Sequence, residues 1–173
     1  MGLFLGSSQP YRGLDVILRA VTLLPDRSEL PGLIAIAGPD PETIPTHPRI
    51  RKLGRIDDVP AVLAGADFLL NANRFSLFDL SNIEAAAAGK PLLLHSVGGN
   101  RALERLGAGC RSFEQLTPEA LAKALAAMFS ATGETLAELG RKSRRCYEEH
   151  LTAEAMWHRH LDLYDHAKVR IAV

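Results

Sequence analysis

The sequence predicts an α/β protein, a doubly wound parallel sheet followed by C-terminal helices. Three observations carry this. Short apolar runs alternate with segments of helical period in βαβα order. The apolar runs are continuous rather than alternating, as strands covered by helices on both faces must be. From Thr117 onward the pattern turns wholly helical.

In chain order, Gly2 to Ser7 reads as the first strand, and Leu14, Ile17, Leu18, Val21 and Leu24 then recur at helix spacing. Leu33 to Ala37 is the second strand, stopped by Gly38-Pro39, and Ile50 to Leu53 is a weaker third. Asp58 with Pro60 starts a helix through Ala64, and Phe68-Leu69-Leu70 is the next strand. The alanine run after Glu84 is a helix, Pro91 to His95 a strand, and a short helix falls within Asn100 to Leu106. Thr117-Pro118 is an N-cap followed by proline at the first helical position. Gly133 opens another helix, and Thr152 caps a last one on which Trp157, Leu161 and Tyr164 share a face.

With 173 residues, 47% of them hydrophobic, the chain can bury one sizeable core, and residues 1–173 are expected to form a single domain. Lys plus Arg and Asp plus Glu balance at 20 each, so no overall basic field draws the chain to nucleic acid. Two cysteines, Cys110 and Cys146, in a domain that needs no staples point to a reducing compartment or to indifference to redox setting. The N-terminal GLFLGSS lacks the basic flank of a signal peptide, and no apolar run reaches the roughly 18 residues of a membrane span. The expected location is cytoplasmic, with attachment to a membrane surface left open.

Ligands of open parallel sheets bind beyond the carboxyl ends of the strands. Four turns lie there: Gly6 to Gly13, Gly38-Pro39, Gly54-Arg55-Ile56, and Asn71 to Ser81. Glycine lets backbone approach a ligand, and each following helix offers unpaired N–H groups to an anion. A phosphate-bearing ligand is therefore expected, although none of the four is a G-x-G-x-x-G or Walker loop.

The order of these motifs resembles a known family: G-x5-[KR]-G after the first strand, then IAGP, LGRIDDVP, ADFLL, IEA…GKPLL and VGGN. It is similar to the Rossmann-like C-terminal, donor-binding half of GT-B-type retaining glycosyltransferases (group 1, or family 4), which include many bacterial hexosyltransferases. The resemblance implies a UDP-, GDP- or ADP-sugar as donor substrate, no other cofactor, and a separate N-terminal acceptor domain that this chain lacks. The isolated chain is then expected to be inactive, with a C-terminal helix that either packs back on its own domain or pairs between two copies. No metal is expected from the residues themselves: His158 and His160, with His150 and His166 nearby, face different sides of a helix, and no Cys or carboxylate cluster completes a set. By position, the residues implied for the donor are Gly6, Ser7, Arg12, Gly13, Arg55, Leu80, Ser81 and Glu84. Arg12 and the amides near Leu80 and Ser81 would serve the diphosphate, and Glu84 the ribose. No catalytic side chain is assigned, because such a transferase orients its donor and stabilises the leaving diphosphate rather than supplying a nucleophile.

The sequence also departs from the family pattern. Ser7 stands where a cation is frequent, Ser76 where the first glutamate of a Glu-x7-Glu motif falls, and Asp79-Leu80 where a Gly-Leu pair faces the phosphates. An aspartate there repels a diphosphate unless it turns away to cap the helix. Plain structural readings stand beside the functional ones. Ser81-Asn82-Ile83-Glu84 is itself a capping box, Arg12 and Arg74 are either phosphate partners or surface cations, and His95 is either a site residue or a core histidine. Asp57-Asp58 reads as a helix-start charge pair. The alternative function is a non-catalytic module that binds a nucleotide or sugar phosphate on the same fold.

Overall fold

The computed structural model describes residues 1–171, with side chains through residue 166. Six strands, β1 (Gly2–Leu5), β2 (Ile34–Ala37), β3 (Ile50–Gly54), β4 (Phe68–Asn71), β5 (Leu92–His95) and β6 (Cys110–Phe113), form one sheet in the order β3-β2-β1-β4-β5-β6. Every neighbouring pair is parallel, with Gly2 to Leu5 facing Ile34 to Ala37 on one side and Gly2 to Phe4 facing Phe68 to Leu70 on the other. Seven α-helices accompany them: α1 (Leu14–Thr22), α2 (Val59–Ala64), α3 (Leu80–Ala87), α4 (Gly98–Arg105), α5 (Pro118–Phe129), α6 (Gly133–Cys146) and α7 (Ala153–Ile171).

The two-residue period of the strands divides the core into two layers. Phe4, Ile34, Ile36, Phe68 and Leu70 point to the face covered by Ile17 and Val21 of α1 and Leu121 and Leu125 of α5. Leu3, Ala35, Leu69, Leu92 and Leu94 point to the other face, against Leu63 of α2, Ala85 of α3, Leu103 of α4 and Cys146 of α6. Each large side chain so buried contributes roughly 1.5–3 kcal/mol, which is why continuous apolar runs define this sheet.

Caps fix several helix starts where the sequence placed them: Asp58 accepts from the Ala61 amide (2.9 Å), Thr117 from Ala120 (3.2 Å) and Thr152 from Ala155 (3.1 Å). Two features differ from expectation. Helix α4 begins at Gly98, ahead of Asn100, and β6 was not anticipated. Strand β6 is a sheet edge with Arg111 and Ser112 exposed, so it lacks the apolar continuity of the inner strands.

Connections run outward from β1 through β2 to β3, and from β4 through β5 to β6 in the opposite direction. The order therefore reverses between β1 and β4, and the loops leaving these two strands part to form the crevice where such sheets bind ligands. Gly13 locks this junction. Its φ is +69°, and a Cβ there would stand 2.0 Å from the Ala72 carbonyl oxygen just after β4.

Candidate functional site

The loop leaving β1 makes a 3-10 turn over Pro10–Arg12 before α1. The loop leaving β4 runs through Asn73 to Asp79, the N-cap of α3. Between them lies a cleft of about 490 Å³ lined by Leu5, Tyr11, Arg12, Asp79, Leu80 and Ser81, with Phe75, Leu77 and Phe78 at its rim.

Arg12 Nη1 donates to Asp79 Oδ1 at 2.7 Å. The Arg12 stem crosses Gly6, where an added Cβ would meet its Cδ and Nε at 3.6 and 3.7 Å. The guanidinium lies 5.0 Å from the Tyr11 ring centroid, and the Tyr11 and Phe75 rings are 5.1 Å apart. Arg12 Nε is buried without a hydrogen-bond partner.

The other carboxylate oxygen of Asp79 is saturated. Oδ2 accepts from Ser76 Oγ (2.7 Å), Asn73 Nδ2 (2.8 Å) and Asn71 Nδ2 (3.2 Å). The network continues inward: Asn71 Nδ2 also donates to Asn82 Oδ1 (3.1 Å), Asn82 Nδ2 to Asn100 Oδ1 (2.9 Å), and Asn100 Nδ2 to the His95 carbonyl (2.9 Å). Asn71, Asn73, Ser76, Asn82 and Asn100 are all buried. Buried amides persist only when paired, and this set ties β4, β5, α3 and α4 together beneath the cleft.

Asp79 does not cap the helix, for its side chain bonds none of the α3 amides. Its backbone carbonyl takes the amides of Asn82 (3.1 Å) and Ile83 (3.3 Å), and those of Leu80 and Ser81 stay unpaired. With the positive end of the α3 dipole, these two N–H groups make an anion-binding position at the cleft.

Glu84 does not close a capping box on Ser81. The helix begins one residue earlier, at Leu80, so Ser81 already lies inside it. The Glu84 side chain is exposed and, among the described residues, makes no hydrogen bond or ion pair. It lines a groove of about 330 Å³ between α2 and α3, with Val59, Pro60, Leu63, Ala87 and Ala88. Three and four residues separate it from Ser81 and Leu80, so it follows them on one helix face, about 5–6 Å further along the axis.

The structure therefore brings Arg12, Leu80 and Ser81 to one cleft, with Gly6 and Gly13 shaping its wall and Glu84 next along α3. Two expected residues stand apart. Ser7 is exposed on the β1 turn and does not line the cleft. Arg55 follows β3, two strands from β1, with a 91% exposed side chain loosely paired to Asp57 at 3.8 Å. Arg74 grips Asp15 through both guanidinium ends (3.0 and 2.7 Å) and bonds the Pro10 carbonyl. That grip holds the Asp15 carboxyl below the usual carboxylate range. His95 Nδ1 faces the Asn73 carbonyl at 2.7 Å, which makes Nδ1 the donor and fixes the ring as a brace for the loop.

The glycines of VGGN pack closely against this loop. A Cβ on Gly98 would stand 2.0 Å from the Ser76 carbonyl oxygen, and one on Gly99 1.7 Å from that of Leu77. The Gly99 amide donates to Ser76 O at 2.8 Å. Burial pushes the Cys110 and Cys146 thiols up, which makes both poor nucleophiles. On α7, Met156, Trp157, Leu161, Leu163 and Tyr164 are exposed, so this face does not pack back on the domain. Among the described residues, no helix is long and apolar enough to cross a membrane.

Comparison with known proteins agrees with this architecture. No curated protein sequence matches the chain. Among solved structures, HepE of Anabaena in complex with UDP superposes with a TM-score of 0.79 at 14% identity, covering 95% of this chain and 48% of its own. Sucrose-phosphate synthase of Thermosynechococcus elongatus gives 0.76 at 19%, covering 98% and 45%. WaaG, a glycosyltransferase of lipopolysaccharide biosynthesis, gives 0.72 at 19%, covering 86% and 42%. The chain thus spans about half the length of the solved structures it matches, and they share its doubly wound GT-B half. The model of the family described as glycosyl transferases group 1 matches residues 2–131, well over half of the chain and the whole of the sheet with its cleft, and the chain belongs to that family.

Proposed function

We propose that this chain is the donor-binding half of a glycosyltransferase, holding a nucleotide-diphosphate sugar while its sugar passes to an acceptor hydroxyl in glycan or polysaccharide synthesis. The observation that carries the reading is the pair of unpaired amides, Leu80 and Ser81, beside Arg12 in a cleft at the switch point of the sheet. A diphosphate seated there would place its ribose along α3, where Glu84 is exposed and unpartnered. The complexes of HepE with UDP, with UDP and glucose, and with UDP-glucose support a nucleotide sugar as ligand. Chemistry at the cleft needs little beyond orientation and charge stabilisation, which amides and a guanidinium supply.

In this reading the acceptor site belongs to a second, N-terminal domain. The exposed apolar rim of Phe75, Leu77, Phe78 and Leu80 is the surface toward which it closes, and without it α7 pairs between two copies of the chain. The purified chain should bind a nucleoside diphosphate yet transfer no sugar, and robust transfer by the monomeric chain would contradict this division of labour.

A second reading is favoured by one observation, the capture of Arg12 by Asp79 above a buried Ser76. It makes the domain a module that binds a nucleotide or sugar phosphate without transferring the sugar. A two-domain protein that binds nucleotide sugars and turns none over, across a panel of saccharide acceptors, would establish it.

A further inference from the structure

The cleft is lined by two charged side chains, Arg12 and Asp79, and they pair at 2.7 Å. The nearby Arg74 is already gripped by Asp15. An anion entering the cleft therefore meets two unpaired amides, a cation already held by a carboxylate, and that carboxylate itself. Asp79 cannot swing aside to release that cation, because Asn71, Asn73 and Ser76 hold its second oxygen from below. Its negative charge is a fixed part of the floor, beside the amides that would receive the phosphates.

Resting on the donor-site reading above, we infer that Asp79 makes the cleft discriminate by phosphate charge, favouring an intact nucleotide-diphosphate sugar over the free nucleoside diphosphate. In the sugar conjugate both phosphates are esterified and each carries one charge. Transfer breaks the bond between the anomeric carbon and the phosphate oxygen. That oxygen keeps the electron pair, the anomeric carbon bonds the acceptor oxygen, and the acceptor proton is released. The new terminal phosphate ionises a second time with a pKa of about 6, so at neutral pH the product carries one more negative charge than the donor, on the phosphate that has just lost its sugar. A fixed carboxylate penalises this extra charge and hastens product departure. Asp79 is thereby a specificity-determining residue, and its cost to diphosphate binding falls most heavily on the spent ligand.

The test compares dissociation constants, by calorimetry at pH 7.5, for three ligand pairs on wild type and Asp79→Asn: UDP with UDP-glucose, GDP with GDP-mannose, and ADP with ADP-glucose. In the pair that binds, Asp79→Asn should tighten the free diphosphate by about fivefold more than the conjugate, the factor expected of one unit charge at roughly 8 Å through an effective dielectric near 40. A second series uses wild type alone. Raising salt from about 0.02 to about 0.3 M shortens the Debye length from about 20 to about 6 Å, and the preference for the conjugate should shrink. If Asp79→Asn fails to fold, the salt series decides. Equal gains for both ligands in the variant, or a preference indifferent to salt, overturn the inference while the donor site stands. Failure of all six ligands to bind either protein overturns the donor-site reading and this inference with it.

Discussion

Arg12 and Asp79, 67 residues apart in sequence, meet at 2.7 Å on the floor of the cleft, and the contact joins the loops that leave the two central strands. Asp79 is also the outermost acceptor of a chain of buried amides that reaches Asn100 and His95. The cleft is therefore shaped from beneath, and its stability is separable from its ligand chemistry.

The buried amides give the first prediction. Asn82→Ala should destabilise the fold by about 2–3 kcal/mol, because Asn71 and Asn100 each lose a partner in a site closed to water. Urea denaturation measures this, and a loss below about 0.5 kcal/mol would mean that the network re-pairs without Asn82.

The close approach of α4 to the β4 loop gives the second. Gly99→Ala forces a methyl onto the Leu77 carbonyl and should cost at least about 2 kcal/mol. Gly133→Ala is the control, since nothing lies within 4 Å of its added Cβ, and it should stay within about 0.5 kcal/mol of wild type. Similar thermal midpoints for the two variants would contradict the packing described.

The sheet was legible in the sequence where it is buried on both faces. Strands β1, β2, β4 and β5 are continuous apolar runs because helices cover each side, whereas β6 is interrupted by exposed Arg111 and Ser112 and carries no such signal. Arg12 was singled out by its turn after the first strand together with the family resemblance, and Leu80, Ser81 and Glu84 by the resemblance alone. The amide network was not, because Asn71, Asn82 and Asn100 come from separate elements, and only the fold brings them within 3.3 Å of one another. Asp79 was legible as a charge at the wrong place for a phosphate. Its true partner, Arg12, lay a whole half-sheet away in sequence.

Asp15 supplies a pH dependence. Its bond to Arg74 lowers its folded pKa below the unfolded value near 3.8, so the ionised form is favoured in the fold. The resulting stabilisation is present above the unfolded pKa and is lost as pH falls through the lower folded one. The pair is well exposed to solvent, so its contribution is small. The difference in thermal midpoint between wild type and Asp15→Asn should be measurable at pH 6 and shrink progressively as pH falls below the unfolded value near 3.8. A difference that persisted or grew in acid would contradict the pairing.

Glu84 separates cap from ligand residue. Since it is exposed and unpaired, Glu84→Ala should move the thermal midpoint little, within about 0.5 kcal/mol of stability. A large loss of stability would restore a capping role that the helix start at Leu80 otherwise removes.

The donor site itself is tested most directly by calorimetric titration of the purified chain with UDP, GDP and ADP, repeated on Arg12→Ala and Glu84→Ala. The account predicts that one of the three binds. Arg12→Ala should then weaken it by about 1.5–3 kcal/mol, the scale of a charge-assisted hydrogen bond, and Glu84→Ala should weaken it without unfolding the protein. Binding of none of the three, or binding that both variants leave unchanged, would contradict the assignment of this cleft to the donor.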